Sequence, residues 1–369
     1  MKTKVCHVTS AHNSKDVRIF HKECVSLAKG GYDTYLVARG DSREEKGVHV
    51  VGTGEAPSSR IKRMVSFSKK VYLRALEIDA EVYHLHDPEL LPYGLKLKKH
   101  GKKVIFDSHE RYVEQIKNKT YLPKALRALA SMAYGVCENY VLHRIDALVF
   151  PCNYKGRHPF EGKCRKVITV DNYPMMEELF ENYDGNAEKV PRSICYVGSL
   201  THNRGITALV SAIEKIDGTL FLAGSFSPEG YEDCLRKMPG WSKVEYLGNL
   251  DRGQIVALLK KTCIGAATVL NVGQYNKYDN MATKTYEYMS LALPVILTNA
   301  SYNRSINDKY NFSICVDPEN IEEIVSAMEY LFSNPEEAAQ LGINGRLAVE
   351  QEFNWNTQEK KLLELYETI

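Results

Sequence analysis

The feature that most limits how this chain can fold is an alternation of short apolar runs with helix-length amphipathic stretches, present in both halves. In the first half, runs rich in Val, Ile and Tyr at 5–9, 34–38, 82–86, 104–107, 147–151 and 167–171 alternate with helical patterns over 17–29, 60–77, 88–100 and 123–143. The second half has similar runs at 194–197, 220–223, 244–247, 263–268, 295–298 and 312–316. Helical patterns cover 205–216, 254–261, 283–292, 321–332, 335–350 and 356–368. Short apolar runs without strict polar alternation suit strands buried on both faces. Their alternation with helices predicts an α/β chain with parallel sheets covered by helices. A chain of 369 residues exceeds what one core usually serves, so two domains are expected, over 1–172 and 193–350. Between them, 173–192 reads as a linker containing Pro174, Pro191 and Asp184-Gly185-Asn186,.

Composition excludes several classes. Hydrophobic residues at 44% and charged residues at 25% fit neither a disordered nor a fibrous chain,. The longest apolar runs, such as 263–270, fall far short of the ~20 residues that span a bilayer. The opening residues Met-Lys-Thr-Lys-Val-Cys-His carry no apolar signal core,. Nine cysteines without a C-x-x-C pair speak against a disulfide framework or a structural zinc site and for a reducing cytoplasm. The net charge of +2 conceals an asymmetry: residues 1–170 carry 31 Lys and Arg against 18 Asp and Glu, and the remainder is correspondingly acidic. Only the first half is therefore expected to meet an anionic surface, unless the bias is surface drift.

There is no phosphate loop of the G-x-x-x-x-G-K type, no H-E-x-x-H and no Asp-x-Asp. Gly52-Thr-Gly54-Glu-Ala-Pro57 begins like a dinucleotide fingerprint but has Pro at the third glycine,. The expectation is therefore metal-free chemistry with no cofactor. The richest segment, 278–299, reads YDNMATKTYEYMSLALPVILTN. A helix starting near Met281 leaves Asp279 on the preceding loop, and the N–H groups around Met281, Ala282 and Thr283 form an anion seat. Lys284 adds a cation, and Glu287, in the second turn, can accept two hydrogen bonds from a ribose. An ordinary Lys284–Glu287 surface pair is the alternative. Upstream, Gly198 and Ser199 let a phosphate approach the backbone, and Arg204 can fork onto two of its oxygens. The loop 246–250, ending at Leu250, could present backbone groups to a base.

In order and spacing, Val197-Gly-Ser-Leu…Arg204-Gly, Tyr246-Leu-Gly and Asp279…Glu287-Tyr-Met-Ser-Leu-Ala-Leu-Pro294-Val-Ile resemble the donor half of the retaining family 4 glycosyltransferases of the GT-B fold. That resemblance implies two facing Rossmann-like domains with an interdomain cleft, the first for the acceptor and the second for a nucleotide sugar. It also implies that 351–369 forms a helix crossing back to the first domain. Glu287 would hold the ribose, Arg204 and Lys284 the diphosphate, and Asp279 the hydroxyls of the transferred sugar. Two positions depart from the family pattern: Asp279 replaces a usual Glu, and Ser199 replaces a common Arg.

The first half resembles the same family more loosely, through His7-Val-Thr-Ser…Asp16-Val-Arg18, His84-Leu-His-Asp-Pro-Glu89 and Phe106-Asp-Ser-His-Glu110. His109 matches the family's histidine that reaches the donor sugar. His84, His86 and His143 are expected only to close strand ends. Asp16, Arg18 and Glu110 are expected at strand-to-helix loops on the acceptor side. The basic amphipathic segment 59–76 either lies on anionic lipid or packs by its apolar stripe. Nucleic acid is not expected, because aromatic residues do not interleave with the basic ones. The implied activity is sugar transfer with retention from a nucleotide sugar, a UDP-sugar by default, to a saccharide or lipid-linked acceptor in glycan biosynthesis. A nucleotide-sugar epimerase and a non-catalytic nucleotide-sugar-binding scaffold remain alternatives.

Overall fold

In a computed structural model, the structure describes residues 2–117, 123–177, 185, 187–273 and 275–369. The chain forms two compact units, Met1–Asn172 with Thr357–Ile369 and Tyr173–Asn356. Residues 178–184 and 186 of the expected linker lie outside the described residues.

The first unit is built on strands β1 (Lys4–Asn13), β2 (Asp33–Arg39), β3 (Arg43–Glu45), β4 (Val48–Gly52), β5 (Val82–Leu85), β6 (Lys103–Asp107), β7 (Ala147–Phe150) and β8 (Lys166–Thr169). Their order in the sheet is 3-4-2-1-5-6-7-8. Every pairing is parallel except β3 with β4. The first two pairings from that edge were not expected from sequence. Arg43–Glu45 is short and charged, as an edge strand that discourages further pairing should be. Val48–Gly52 buries Val48 and Val50 against Ile19, Phe20, Leu36 and Ala38. The order reverses between β1 and β5, so the carboxyl ends of these neighbours open a crevice.

Helical structure over 17–29 starts with a π-type stretch, Val17–Cys24. Asp16 caps it by accepting from the Ile19 N–H at 3.0 Å,. The basic segment divides in two. Phe67, Val71, Tyr72 and Ala75 are buried, whereas Ile61, Met64 and Val65 are exposed to 76%, 49% and 66%. Helix Lys124–Leu142 exposes Leu126, Leu129, Met132, Val136 and Tyr140 along one flank.

The second unit contains β9 (Ser193–Val197), β10 (Thr219–Ala223), β11 (Val244–Tyr246), β12 (Ile264–Ala267), β13 (Val295–Thr298) and β14 (Ser313–Val316). They form a wholly parallel sheet in the order 11-10-9-12-13-14. One core lies on each face. Tyr286, Tyr288, Met289 and Phe312 serve one face, and Ile206, Leu209, Ile213 and Met328 the other. The order reverses between β9 and β12, which places the second crevice at their carboxyl ends. Tyr173 and Phe353 pack together on Tyr286 in this unit, with centroids 4.9–5.5 Å apart. The change of unit therefore falls after Asn356, not at 350. The last helix, Trp355–Thr368, begins in the second unit and puts Leu362, Leu365 and Tyr366 into the interior of the first.

At the second crevice the turns after β9 and β10 touch. A Cβ on Gly224 would lie 1.9 Å from the Gly198 carbonyl oxygen, and Gly224 has φ +137°. Gly224→Ala must therefore push the two turns apart and strain the backbone, at a cost of roughly 2–4 kcal/mol. Calorimetric melting is expected to show a thermal midpoint several degrees below wild type.

Candidate functional site

In the second unit the site grows from the turn after β9. The Gly198 N–H donates to the Ala223 carbonyl at 2.9 Å, and the Gly224 N–H donates to the Gly248 carbonyl at 2.7 Å. Three strand ends are thereby held in one row. The Val197 N–H donates to the Tyr288 hydroxyl at 3.1 Å, which fixes helix Thr283–Ser290 against the end of β9. Ala282 is the residue before that helix, and its carbonyl accepts from the Thr285 N–H at 2.8 Å. The first N–H groups of any helix lack an intrahelical acceptor, so the turn at Thr283 and Lys284 presents positive dipole ends. Met281 is buried just before it, its N–H meeting the Tyr286 hydroxyl at 3.3 Å.

Lys284 is the centre of this site. It is 9% exposed. Its Nζ lies 2.5 Å from the Tyr196 hydroxyl and 3.9 Å from the centroid of that ring. A Cβ on Gly198 would stand 3.4 Å from the Lys284 Nζ, so the ammonium sits directly beside the glycine turn. Burial, followed by the Arg204 guanidinium, pulls the Lys284 pKa down to about 7 against the opposing pull of Glu287,. Arg204 ends a short 3-10 turn, and its guanidinium lies 4.5 Å from the centre of the Tyr275 ring,. Two cations thus converge with a helix start, an arrangement suited to an anion with several oxygens.

Glu287 does not pair with Lys284 as the surface reading expected. Its carboxylate receives the Arg252 guanidinium at 2.6 Å, because Lys284 turns toward Tyr196. Arg252 opens helix Arg252–Lys261, which Asp251 and Gln254 close with reciprocal hydrogen bonds of 2.9 Å,. No local pattern points to this partner, since 35 residues separate it from Glu287. Leu250 is half-buried beside Leu247 on the core. Asp279 is half-buried on the loop before the helix, and the Ser199 carbonyl accepts from the Tyr196 hydroxyl at 3.2 Å.

In the first unit, Asp87 closes the crevice between β1 and β5. Its Oδ2 accepts from the Thr9 hydroxyl at 2.8 Å, the Ser10 N–H at 2.6 Å and the Ala11 N–H at 3.1 Å. Beside it, His12 Nδ1 meets Asp16 Oδ2 at 2.9 Å. Burial acts against protonation of His12, yet the hydrogen bond to Asp16 and the carboxylates of Asp87 and Asp107 raise its pKa above the usual value. His12 and the Ile19 N–H in turn lower Asp16, although burial opposes them. His109 lies next to this pair, its ring centre 4.9 Å from that of His12. Burial and the nearby Arg18 guanidinium bring the His109 pKa down to about 4 despite Asp107, so the imidazole is neutral at physiological pH. Glu110 accepts from Gln115 at 2.5 Å.

Arg18 departs from expectation. It is 5% exposed and does not serve as an open acceptor-side cation. It donates to both oxygens of Asp107, at 2.9 and 3.2 Å, and to the Val170 carbonyl at 3.0 Å, and it lies 3.0 Å from Glu23. Two carboxylates hold it in the interior. His86, expected only to close a strand, has its Nδ1 3.2 Å from His109 Nε2. Period-two alternation in His84-Leu-His86 was the available signal, because it puts both rings on one face. Among the described residues, His7, Glu23, His84 and His86, and also His86, Asp107 and His109, bring potential metal-ligating atoms within 4.8 Å of one another. Here the imidazoles hydrogen-bond to each other.

With this geometry in hand, comparison with known proteins places the chain. Residues 178–348 match the family described as Glycosyl transferases group 1, and residues 18–158 match Glycosyltransferase Family 4. No curated protein sequence matches. Among solved structures, the sucrose-phosphate synthase of Thermosynechococcus elongatus is 14% identical, with a TM-score of 0.76 over 99% of this chain and 98% of that one. HepE of Anabaena, solved with UDP and glucose, is 12% identical with a TM-score of 0.71 over the whole of both chains. WaaG, a glycosyltransferase involved in lipopolysaccharide biosynthesis, is 11% identical with a TM-score of 0.68 over 98% of this chain and 99% of that one. With a group 1 domain behind one crevice, a family 4 domain behind the other and this shared architecture, the chain is a glycosyltransferase of the GT-B fold.

Proposed function

We propose that this enzyme transfers a sugar, with retention at the anomeric carbon, from a UDP-sugar to a saccharide or lipid-linked acceptor in surface glycan biosynthesis. The observation that carries the reading is the buried Lys284 ammonium beside Gly198, with Arg204 and the Thr283 helix start around it. A diphosphate supplies the charge this pocket lacks. Glu287, held by Arg252, takes the two ribose hydroxyls, and Asp279 takes hydroxyls of the sugar. The choice of uridine follows HepE, whose structures hold UDP and UDP-glucose.

In the transfer step the bond between the anomeric carbon and the phosphate oxygen breaks as the acceptor oxygen bonds on the same face. The acceptor's proton passes to an oxygen of the departing diphosphate. Lys284, Arg204 and the helix dipole stabilise the charge developing there, so no metal is proposed for the step. Neutral His109 hydrogen-bonds a sugar hydroxyl near the reacting carbon, while Asp16 and Glu110 receive acceptor hydroxyls. The exposed Ile61, Met64 and Val65, flanked by Lys62, Arg63 and Lys69, suit peripheral attachment to anionic lipid,. Among the described residues, no helix is long and apolar enough to cross a membrane.

Three outcomes are expected. In a thermal-shift assay UDP stabilises the wild type and His109→Ala. Glu287→Ala abolishes the shift, because each lost charge-assisted hydrogen bond is worth about 1.5–3 kcal/mol. His109→Ala binds UDP but loses transfer to acceptor. Equal shifts in wild type and Glu287→Ala would overturn the ribose assignment.

The second outcome concerns pH. A bound diphosphate raises the Lys284 pKa from about 7, so binding at pH 8 takes up a proton. UDP affinity should therefore fall as pH rises from 7 to 9, by up to about tenfold per unit. Titration calorimetry in buffers of different ionisation enthalpy measures this uptake, and Lys284→Met should abolish it. In the third, phosphatidylglycerol vesicles co-sediment the enzyme at low salt, and the Met64→Glu, Val65→Glu double variant stays in the supernatant.

A further inference from the structure

Behind His109 runs an unbroken file of buried polar rings that the transfer step, as described, does not use. His109 Nε2 lies 3.2 Å from His86 Nδ1, and His86 Nε2 lies 2.9 Å from His7 Nδ1. His7 Nε2 lies 3.1 Å from the Tyr366 hydroxyl, which is 2.8 Å from His84 Nδ1. His7, His84 and His86 are completely buried and Tyr366 is 5% exposed.

Each link between two such atoms holds one proton, and each neutral imidazole carries one. Fixing the direction of any link therefore fixes all of them. Among the described residues His84 Nε2 is buried with no hydrogen-bond partner. A proton there would be an orphaned buried donor, which folded proteins rarely tolerate. His84 therefore carries its proton on Nδ1 and donates to the Tyr366 oxygen. Tyr366 donates to His7 Nε2, His7 Nδ1–H donates to His86 Nε2, and His86 Nδ1–H donates to His109 Nε2. Each carboxylate faces one protonated and one accepting ring nitrogen in this order, so the direction rests on His84: Asp107 Oδ2 lies 3.6 Å from His109 Nε2 and Glu23 Oε2 3.9 Å from His86 Nε2, both of which accept. Asp107 Oδ2 lies 3.6 Å from His86 Nδ1, which is protonated. Glu23 Oε2 lies 3.7 Å from His7 Nδ1, also protonated. Arg18 sits between these two carboxylates, at 2.9 Å from Asp107 and 3.0 Å from Glu23, while the His12 ring lies tilted against His109 with centroids 4.9 Å apart.

We propose that Tyr366 is a positioning residue for His109: through His7 and His86 it fixes the His109 proton on Nδ1. The ring then offers a hydrogen-bond donor to its ligand. The tautomer assignment stands on the hydrogen-bond file alone, whereas its effect on turnover rests on the function proposed above.

The test is nitrogen-15 NMR of histidine-labelled enzyme, with the His109 signals assigned by their loss in His109→Gln. In the wild type at pH 7.5 the proton should reside on Nδ1 of His109. Tyr366→Phe keeps the ring and removes the hydroxyl. It should give a mixed or reversed His109 tautomer, and kcat should fall by roughly tenfold with the donor KM unchanged. A merely structural role would leave the tautomer in place. A wild-type proton on Nε2 overturns the proposal whether or not the variant folds. So does an unchanged tautomer in Tyr366→Phe. Stoichiometric transition metal in the purified protein, detected by plasma mass spectrometry, also overturns it, because His7 and His86 would then be ligands and not hydrogen-bond partners. An Nδ1 proton in the wild type that shifts in the variant without loss of turnover would retain the file and remove its role in transfer.

Discussion

Both candidate sites exist because two neighbouring parallel strands send their connections to opposite faces of a sheet. At such a reversal no helix crosses the carboxyl ends of the strands, and loops of free backbone are left side by side. Strands β9 and β12 create that gap in the second unit, β1 and β5 in the first. Part of the chemistry gathers directly at the ends of these strands, and the rest is brought to them by β6 and by helix Thr283–Ser290. Gly198, Asp87 and His86 each lie within two residues of such an end, and Thr9 lies within β1 itself.

The two crevices treat a buried cation in opposite ways. Arg18 enters the first unit's interior with Asp107 and Glu23 around it, so its charge is answered internally. Removing one partner there would leave another charge stranded. Lys284 is almost as enclosed but is met by a hydroxyl and an aromatic face, neither of which bears a negative charge. Its lowered affinity for a proton is the signature of that imbalance,. One cation is balanced within the architecture, and the other has no carboxylate closing on it.

Much of this was legible in the sequence wherever a signal is local. Val295–Thr298 is an apolar β-branched run closed by Asn and Ala, and it forms the expected strand. Thr283 starts a helix that leaves Asp279 on a loop and sets Glu287 in the second turn, because three- and fourfold spacing dictates this,. What could not be read was who answers whom across the fold. Arg252 reaches Glu287 from another helix, and Tyr196 reaches Lys284 from a strand 88 residues earlier. Arg18 looked accessible only because Asp107 is 89 residues away in sequence. Short charged strands such as Arg43–Glu45 carry too little pattern to betray themselves, and their pairing depends on a neighbour already in place.

The last helix changes the order in which the chain can mature. Tyr366 completes hydrogen bonds to His84 and His7, partners that lie 282 and 359 residues upstream. During synthesis the first sheet can therefore assemble early, yet its innermost imidazoles stay unsatisfied until the final turns leave the ribosome. The half made first is finished last, and nascent chains stalled near the end would carry a loosened first unit although the second is already complete.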